Sequence, residues 1–283
     1  MIQIIDFNDS KAPELLVSSF KETGFAIINN PPIDFELLSA CFKAWQGFFD
    51  NPDKNFLYDS QSGAGWIDQQ LSEKAKGAKT KDLKEFYHYY KDQLCPDDIR
   101  EVTDQSFDML FDLSYTILKW VEVALPSSLK EKFDRPLSQM VSTKNTLFRI
   151  IHYPPINNCL ATDGIRAAAH EDINLITILP PGTAEGLQVR TIDGQWLPVD
   201  AKPNQVVINV GDMLQALTKQ YLVSTCHRVV NPEDLTKPRY SMPLFLHPYD
   251  DVWLSEEYPT ANQYLTERLR ELGLIKDKEV EPA

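Results

Sequence analysis

The sequence predicts a mainly β protein with added helices. Its core is a sandwich or barrel of the jelly-roll kind, buttressed by helices from both ends of the chain. Three observations predict it. Apolar runs recur at 146–153, 173–179, 187–191, 195–199, 205–210, 223–230 and 240–247, separated by turns of Pro, Gly, Asn and Asp, as many short strands at even spacing require. Before them apolar residues keep helical spacing in two long stretches, and 261–272 does so again. No repeat and no linker divides the 283 residues. They therefore read as one domain: 1–145 a mostly helical buttress with a covering loop, 146–248 the β core, and 249–283 a terminal helix with a tail that frays from Lys276.

In chain order, residues 2–7 read as a short strand. Ser10 and Glu14 open a helix with Leu15, Leu16 and Phe20 on one face, and Gly24 ends it. Residues 25–29 are a second strand, broken by Pro31-Pro32. Across 34–49, Leu37, Leu38, Cys41, Phe42, Trp45, Phe48 and Phe49 keep the spacing of a helix packed on a sheet. Residues 51–83 are rich in Lys, Gly, Ser and Asp with weak periodicity, the profile of a functional cover or a disordered loop. Lys74, Lys76, Lys79, Lys81 and Lys84 read as a solvated face, whereas Trp66, beside Gly65, is placed to close over a substrate. Residues 84–90 form a strand near the pocket mouth. Its Tyr87 and Tyr89 are candidate substrate contacts, although aromatic strands pack into cores more often. A long helix spans 105–123. Asp193-Gly194 marks a hairpin, and Asn209-Val-Gly-Asp212 ends a strand and caps a helical turn at 213–217.

Composition excludes several classes. The hydrophobic fraction of 43% and charged fraction of 24% are ordinary for a globular chain, with no apolar run long enough to span a membrane. The first residues lack the build of a secretory signal, and four scattered cysteines form no Cys-x-x-Cys pair. A cytoplasmic protein with free thiols, a monomer or weak homo-oligomer, is the expectation. Twenty-eight basic against 41 acidic residues give −13, a surface that repels phosphate backbones and so disfavours nucleic acid. It suits a cationic or zwitterionic substrate, and solubility explains it at least as well.

The chemistry centres on Ala169-His170-Glu171-Asp172. In an extended segment His170 and Asp172 share one face while Glu171 takes the other. His227, in the β-rich run 223–230, is the best-placed third ligand among five histidines. Two imidazoles and one carboxylate on one side of a metal leave open positions opposite, as in non-haem Fe(II) oxygenases. His-x-Asp alone is common by chance. Arg239-Tyr240-Ser241 makes it specific, because Arg239 and Ser241 share a face and offer a guanidinium fork and a hydroxyl to a carboxylate. His152 and His247 read as structural, and His88 is the reserve ligand.

The chain resembles the Fe(II)/2-oxoglutarate-dependent dioxygenases of the isopenicillin-N-synthase-like group. The matching stretches are Arg149-Ile-Ile-His-Tyr-Pro-Pro155, His170-Glu-Asp172, Gly186-Leu-Gln-Val189, Asn209-Val-Gly-Asp212, His227-Arg-Val-Val-Asn-Pro232 and Arg239-Tyr-Ser-Met-Pro243. One departure is Ile156 after Tyr153-Pro154-Pro155, where plant members continue into Cys. The resemblance implies a double-stranded β-helix core, His170, Asp172 and His227 as iron ligands, and Arg239, Ser241 and Tyr153 on the far carboxylate of 2-oxoglutarate. It also implies O2-dependent oxidation of a substrate with succinate and CO2 released, and the acidic balance and the covering loop at 51–83 point to hydroxylation or desaturation of a small polar molecule. Arg166 and Arg190 are candidate anchors for an acidic substrate, against the plainer reading of exposed solubilising charges. Two other readings stand beside this one: an oxidase with the same iron site and no 2-oxoglutarate, and a non-catalytic jelly-roll binding protein.

Overall fold

The computed structural model describes residues 2–69, 82–156 and 165–271. Strand β1 (Gln3–Asp6) leads into helix α1 (Ala12–Thr23), then β2 (Phe25–Asn29) and α2 (Phe35–Asp50). After a 3-10 turn come β3 (Gly65–Ile67), β4 (Glu85–Tyr89) and the long α3 (Asp97–Ala124), followed by short helices α4 (Ser127–Lys130) and α5 (Leu137–Met140). The core strands are β5 (Leu147–Tyr153), β6 (Ala167–His170), β7 (Ile176–Leu179), β8 (Leu187–Arg190), β9 (Trp196–Pro198) and β10 (Gln205–Val210). Helix α6 (Asp212–Leu217), β11 (His227–Val229), β12 (Arg239–Ser241), β13 (Leu244–Leu246) and α7 (Ala261–Glu271) complete the described chain.

Two sheets face each other, as the jelly-roll expectation requires. The larger has nine strands in the order β1-β2-β10-β7-β13-β5-β4-β3, with β12 also paired to β5. The smaller runs β6-β11-β8-β9. Helices α1, α2 and α3 cover the outer face of the large sheet, and one apolar cluster joins them to it. A second apolar cluster, including Phe25, Ile151, Leu187 and Val229, lies between the sheets.

Local chemistry explains the helix ends. Asp34 accepts the Glu36 and Leu37 N–H groups and caps α2, a contact that stabilises a helix by about 1 kcal/mol. Gly24 ends α1 in the left-handed region at φ 69°, and a Cβ there would lie 2.3 Å from the Val223 carbonyl. Trp45, fully buried on α2, donates to Thr103 Oγ1 on α3 at 2.9 Å and packs on Tyr87 from the sheet.

Several expectations need correction. Helix α3 begins at Asp97, eight residues before the expected start, because Pro96 precedes it and Asp97 and Asp98 complement its dipole. The expected loop 51–83 contains strand β3, so Trp66 is a strand residue and not a loop tip. The apolar run 240–247 divides into β12 and β13 around Met242-Pro243, where proline cannot donate. Lys84 is not on a solvated face: it is buried and pairs with buried Asp82 at 2.9 Å. Lys74, Lys76, Lys79, Lys81, Cys159 and the tail from Lys276 lie outside the described residues.

Candidate active site

The site forms where β6 and β11 pair antiparallel, with His227 opposite His170 and their ring centres 4.4 Å apart. Asp172 lies two residues beyond the end of β6, in the turn toward β7, so strand alternation alone does not place it. Each side chain is fixed through the atom that does not face the others. His170 Nδ1 donates to the Ala168 carbonyl at 2.7 Å, and His227 Nδ1 to the Thr225 carbonyl at 3.2 Å. A carbonyl only accepts, so both rings carry a proton on Nδ1 and turn Nε2 toward the cluster. Asp172 Oδ2 accepts from Thr177 Oγ1 at 2.6 Å and Asn209 Nδ2 at 2.8 Å. That leaves Oδ1, at 3.9 Å from His170 Nε2 and 3.7 Å from His227 Nε2. One ligand atom from each residue lies within 4.8 Å of the others.

Protonation favours a cation here. The His170 ring sits inside the cavity, with 39% of its side chain reached by solvent through the mouth. Burial, then the neighbouring His227, push its pKa down to about 4, so the ring is neutral at ordinary pH. Burial pushes Asp172 up, but the two imidazoles and the bonds from Thr177 and Asn209 outweigh it and hold the carboxylate ionised. Two imidazoles and one carboxylate, each tied at its second atom, fit a divalent iron with open positions.

A cavity of about 60 Å³ leads from these residues to β12. Arg239 and Ser241 are both buried there, opposite Tyr153 and Ile151 of β5. Arg239 Nε donates to the Ala184 carbonyl at 2.9 Å, and its guanidinium carbon lies 5.1 Å from the centre of the Tyr153 ring. Gly182 permits this, since a Cβ there would sit 3.2 Å from Arg239 Nη2. The expected trio Arg239, Ser241 and Tyr153 therefore lines the same cavity as the expected trio His170, Asp172 and His227.

Residues 144–248 match the 2OG-Fe(II) oxygenase superfamily, and residues 2–107 match a family described as the N-terminal region of a non-haem dioxygenase in morphine synthesis. A Shewanella oneidensis protein assigned as an oxygenase is 42% identical; the match covers 97% of this chain and 99% of that one, with a TM-score of 0.86. The chain belongs to the 2-oxoglutarate/Fe(II)-dependent oxygenases. A member of the same family from Caulobacter crescentus is 32% identical over 95% of this chain and 98% of its own, with a TM-score of 0.80. A proline hydroxylase from Petromyces alliaceus is 29% identical over 259 residues, 84% of this chain and 81% of its own. Iron, 2-oxoglutarate and O2 are thus the cofactor and co-substrates of an oxidoreductase on a jelly-roll scaffold. Among the described residues, no helix is long and apolar enough to cross a membrane.

The remaining candidates fall elsewhere. Trp66 is nearly buried on the helix side of the sheet, its Nε1 donating to Glu85 Oε2 at 2.9 Å. Tyr87 and Tyr89 are fully buried on that same side; the first donates to the Leu94 carbonyl and the second to Asp104. None of the three lines the cavity, because odd-numbered β4 residues point to the helices. Arg190 is exposed at the end of β8. Arg166 is neither exposed nor on the cavity wall: it is fully buried behind Tyr153. His88 meets the Gly63 carbonyl, away from the ligand cluster. Sequence reasoning missed Lys84 and Arg149 as cavity residues, and Thr177 and Asn209 as partners of Asp172. The last two carried a signal, since each is a polar residue inside an otherwise apolar strand.

Proposed function

We propose that this protein is a dioxygenase in which His170, Asp172 and His227 hold Fe(II), while Arg239, Ser241 and Tyr153 hold the far carboxylate of 2-oxoglutarate. The observation that supports it is one cavity joining three convergent ligand atoms to a buried guanidinium. Iron bound there would supply O2 activation coupled to loss of CO2 from 2-oxoglutarate. The reaction would leave one oxygen atom in succinate and would hydroxylate or desaturate a small polar molecule.

The chain's own residues do the orienting. Thr177 and Asn209 hold Oδ2 of Asp172, so the carboxylate offers a single oxygen and leaves coordination positions for ligands. Arg239 fixes the direction from which 2-oxoglutarate enters. The apolar walls at Phe25, Leu187 and Val229 exclude water from the reacting end.

Among the described residues lining the cavity, Lys84, Arg149 and Arg239 are cationic and Asp172 is the only acid. Arg149 is stacked between the rings of Phe86 and Phe245, at 4.7 and 5.3 Å from their centres. The net charge of −13 therefore describes the surface and not the cavity. The region 1–145 and the β core are proposed as one folding unit, because the larger apolar cluster runs through both.

The test is CO2 release from carboxyl-labelled 2-oxoglutarate, with anaerobic titration of the Fe(II)–2-oxoglutarate charge-transfer absorption. Both signals are expected, together with stimulation by a small polar molecule and not by DNA or RNA. O2 consumption with substrate and neither 2-oxoglutarate signal would establish the oxidase reading instead.

A further inference from the structure

Strand β6 carries His170 yet has little of its own to hold it. Among the described strands it lies at the edge of the smaller sheet, paired to β11 on one side. Val229 stands opposite Ala167 and His227 opposite His170, so β6 carries one extra residue between them. Such a bulge re-aims a side chain, and Ala168 and Ala169 fall within it. Ala168 is also the residue that orients the ring, because its carbonyl accepts from His170 Nδ1 at 2.7 Å.

The open edge is met by residues 82–84, just before β4. The Leu83 N–H donates to the Ile165 carbonyl at 3.1 Å, and Asp82 Oδ1 accepts the Ala168 N–H at 3.0 Å. Asp82 Oδ2 pairs with Lys84 Nζ at 2.9 Å, and each side chain is only 6% exposed. Taking two charges out of water is costly, and such a pair persists where further hydrogen bonds complete it. Here the second carboxylate oxygen is completed by the backbone of Ala168, while Lys84 lines the same cavity as His170.

We infer that Asp82 and Lys84 are positioning residues for the iron ligand His170. The pair fixes Ala168, and Ala168 fixes the ring with Nε2 turned toward Asp172 and His227. This rests on the proposed role of His170 as a ligand. The carboxylate comes from 86 residues earlier in the chain than the backbone it holds, so the N-terminal region takes part in building the iron site.

The competing account is that the pair only fastens residues 82–84 to the sheet. His227 separates the two, since its Nδ1 donates to the Thr225 carbonyl, a bond without Asp82. Metal-free protein labelled with 15N-histidine is compared as wild type and as Asp82→Ala/Lys84→Met, which removes the acceptor without leaving a charge buried alone. In wild type the His170 proton should sit on Nδ1. In the double variant it should be shared between the two ring nitrogens, while the His227 signals stay in place. Anaerobic equilibrium dialysis should show Fe(II) bound about tenfold more weakly, as when the partner behind a ligating histidine is removed. Asp82→Asn/Lys84→Met keeps an acceptor oxygen for Ala168 and should recover part of both changes. Unmoved His170 signals, or equal movement of both rings, overturn the inference and leave the fastening.

The two proposals fail separately. Wild-type protein that takes up no Fe(II) removes the ligand set, and the 15N result still judges the pair. Unchanged Fe(II) affinity in the double variant overturns the present inference alone. Should the variants not fold, hydrogen exchange in metal-free wild type decides in their place. The Ala168 N–H and the His170 Nδ1–H should both be protected; a freely exchanging ring proton beside a protected Ala168, or an unprotected Ala168, overturns the inference.

Discussion

Strands β4 and β5 carry two faces of different character. On the helix side, Tyr87, Tyr89, Phe148 and Ile150 are fully buried against α2 and α3, and His152 is stacked on Tyr240 with its Nδ1 2.7 Å from Glu85. On the sheet-to-sheet side, Arg149, Ile151 and Tyr153 line a cavity. Adjacent residues thus have unrelated tasks. The aromatic content of β4 serves packing, while the sparse polar residues of β5 and β12 line the cavity. An aromatic strand near a pocket is a poor guide to substrate contacts until its facing is known.

The sharpest way to break this comparison is at the ligands. Asp172→Ala or His227→Ala should abolish stoichiometric Fe(II) binding and turnover, because each leaves two donors, while the melting temperature of metal-free protein stays near wild type. Equilibrium dialysis with iron analysis measures it. Full iron occupancy in the His227 variant would transfer the role to His88 or His247.

On the opposite face the expected loss is of stability. Trp45→Ala removes a fully buried indole and its bond to Thr103, and should cost about 3–5 kcal/mol in chemical denaturation. Folded protein that remains should keep its iron affinity. A fall in affinity matching the fall in stability would mean that the two faces are not separable.

A third effect is in pH. His247 is buried, and burial pushes its pKa down to about 4. Its unfolded pKa is near 6.5, so the unfolded chain binds the extra proton in between. Stability of metal-free protein should therefore hold above about pH 6.5 and decline toward pH 4, by up to about 3 kcal/mol from this group. His247→Gln should flatten that decline; an unchanged profile would assign it to other groups. The smallest expected effect is Tyr87→Phe, which removes one hydrogen bond to the Leu94 carbonyl and should cost about 1 kcal/mol with no change in any KM. A raised KM would return Tyr87 to the substrate.

The difference between the faces also explains what could be read from sequence. Residues 25–29 and 205–210 coincide with β2 and β10 because both are mostly apolar, β-branched runs with clear breaks. The site triad was legible from residue type and order, since few side chains can bind iron. Strand β6 was not, because Ala167, Ala168 and Ala169 carry no strand preference and are held by pairing to β11, whose partner residues lie near 227–229. Lys84 misled for a similar reason: a lysine in a lysine-rich stretch reads as solvated, and only burial beside Asp82 shows otherwise. Arg166 was read as a substrate anchor or an exposed charge, and it is neither exposed nor on the cavity wall. Its type suggested an anion, but its depth came from tertiary packing.

The pairing of β10 with β2 has a consequence for synthesis. Gln205 lies opposite Asn29, and Asn209 opposite Phe25, so the strand bearing Asn209 meets a partner made about 180 residues earlier. A ribosome-bound chain therefore holds β2 with an open edge until most of the protein has emerged. Contacts this distant in sequence form slowly, and the apolar run Phe25–Asn29 is exposed to neighbouring chains meanwhile. Yield at high expression should thus be limited at this edge, well before any metal is available to stabilise the fold.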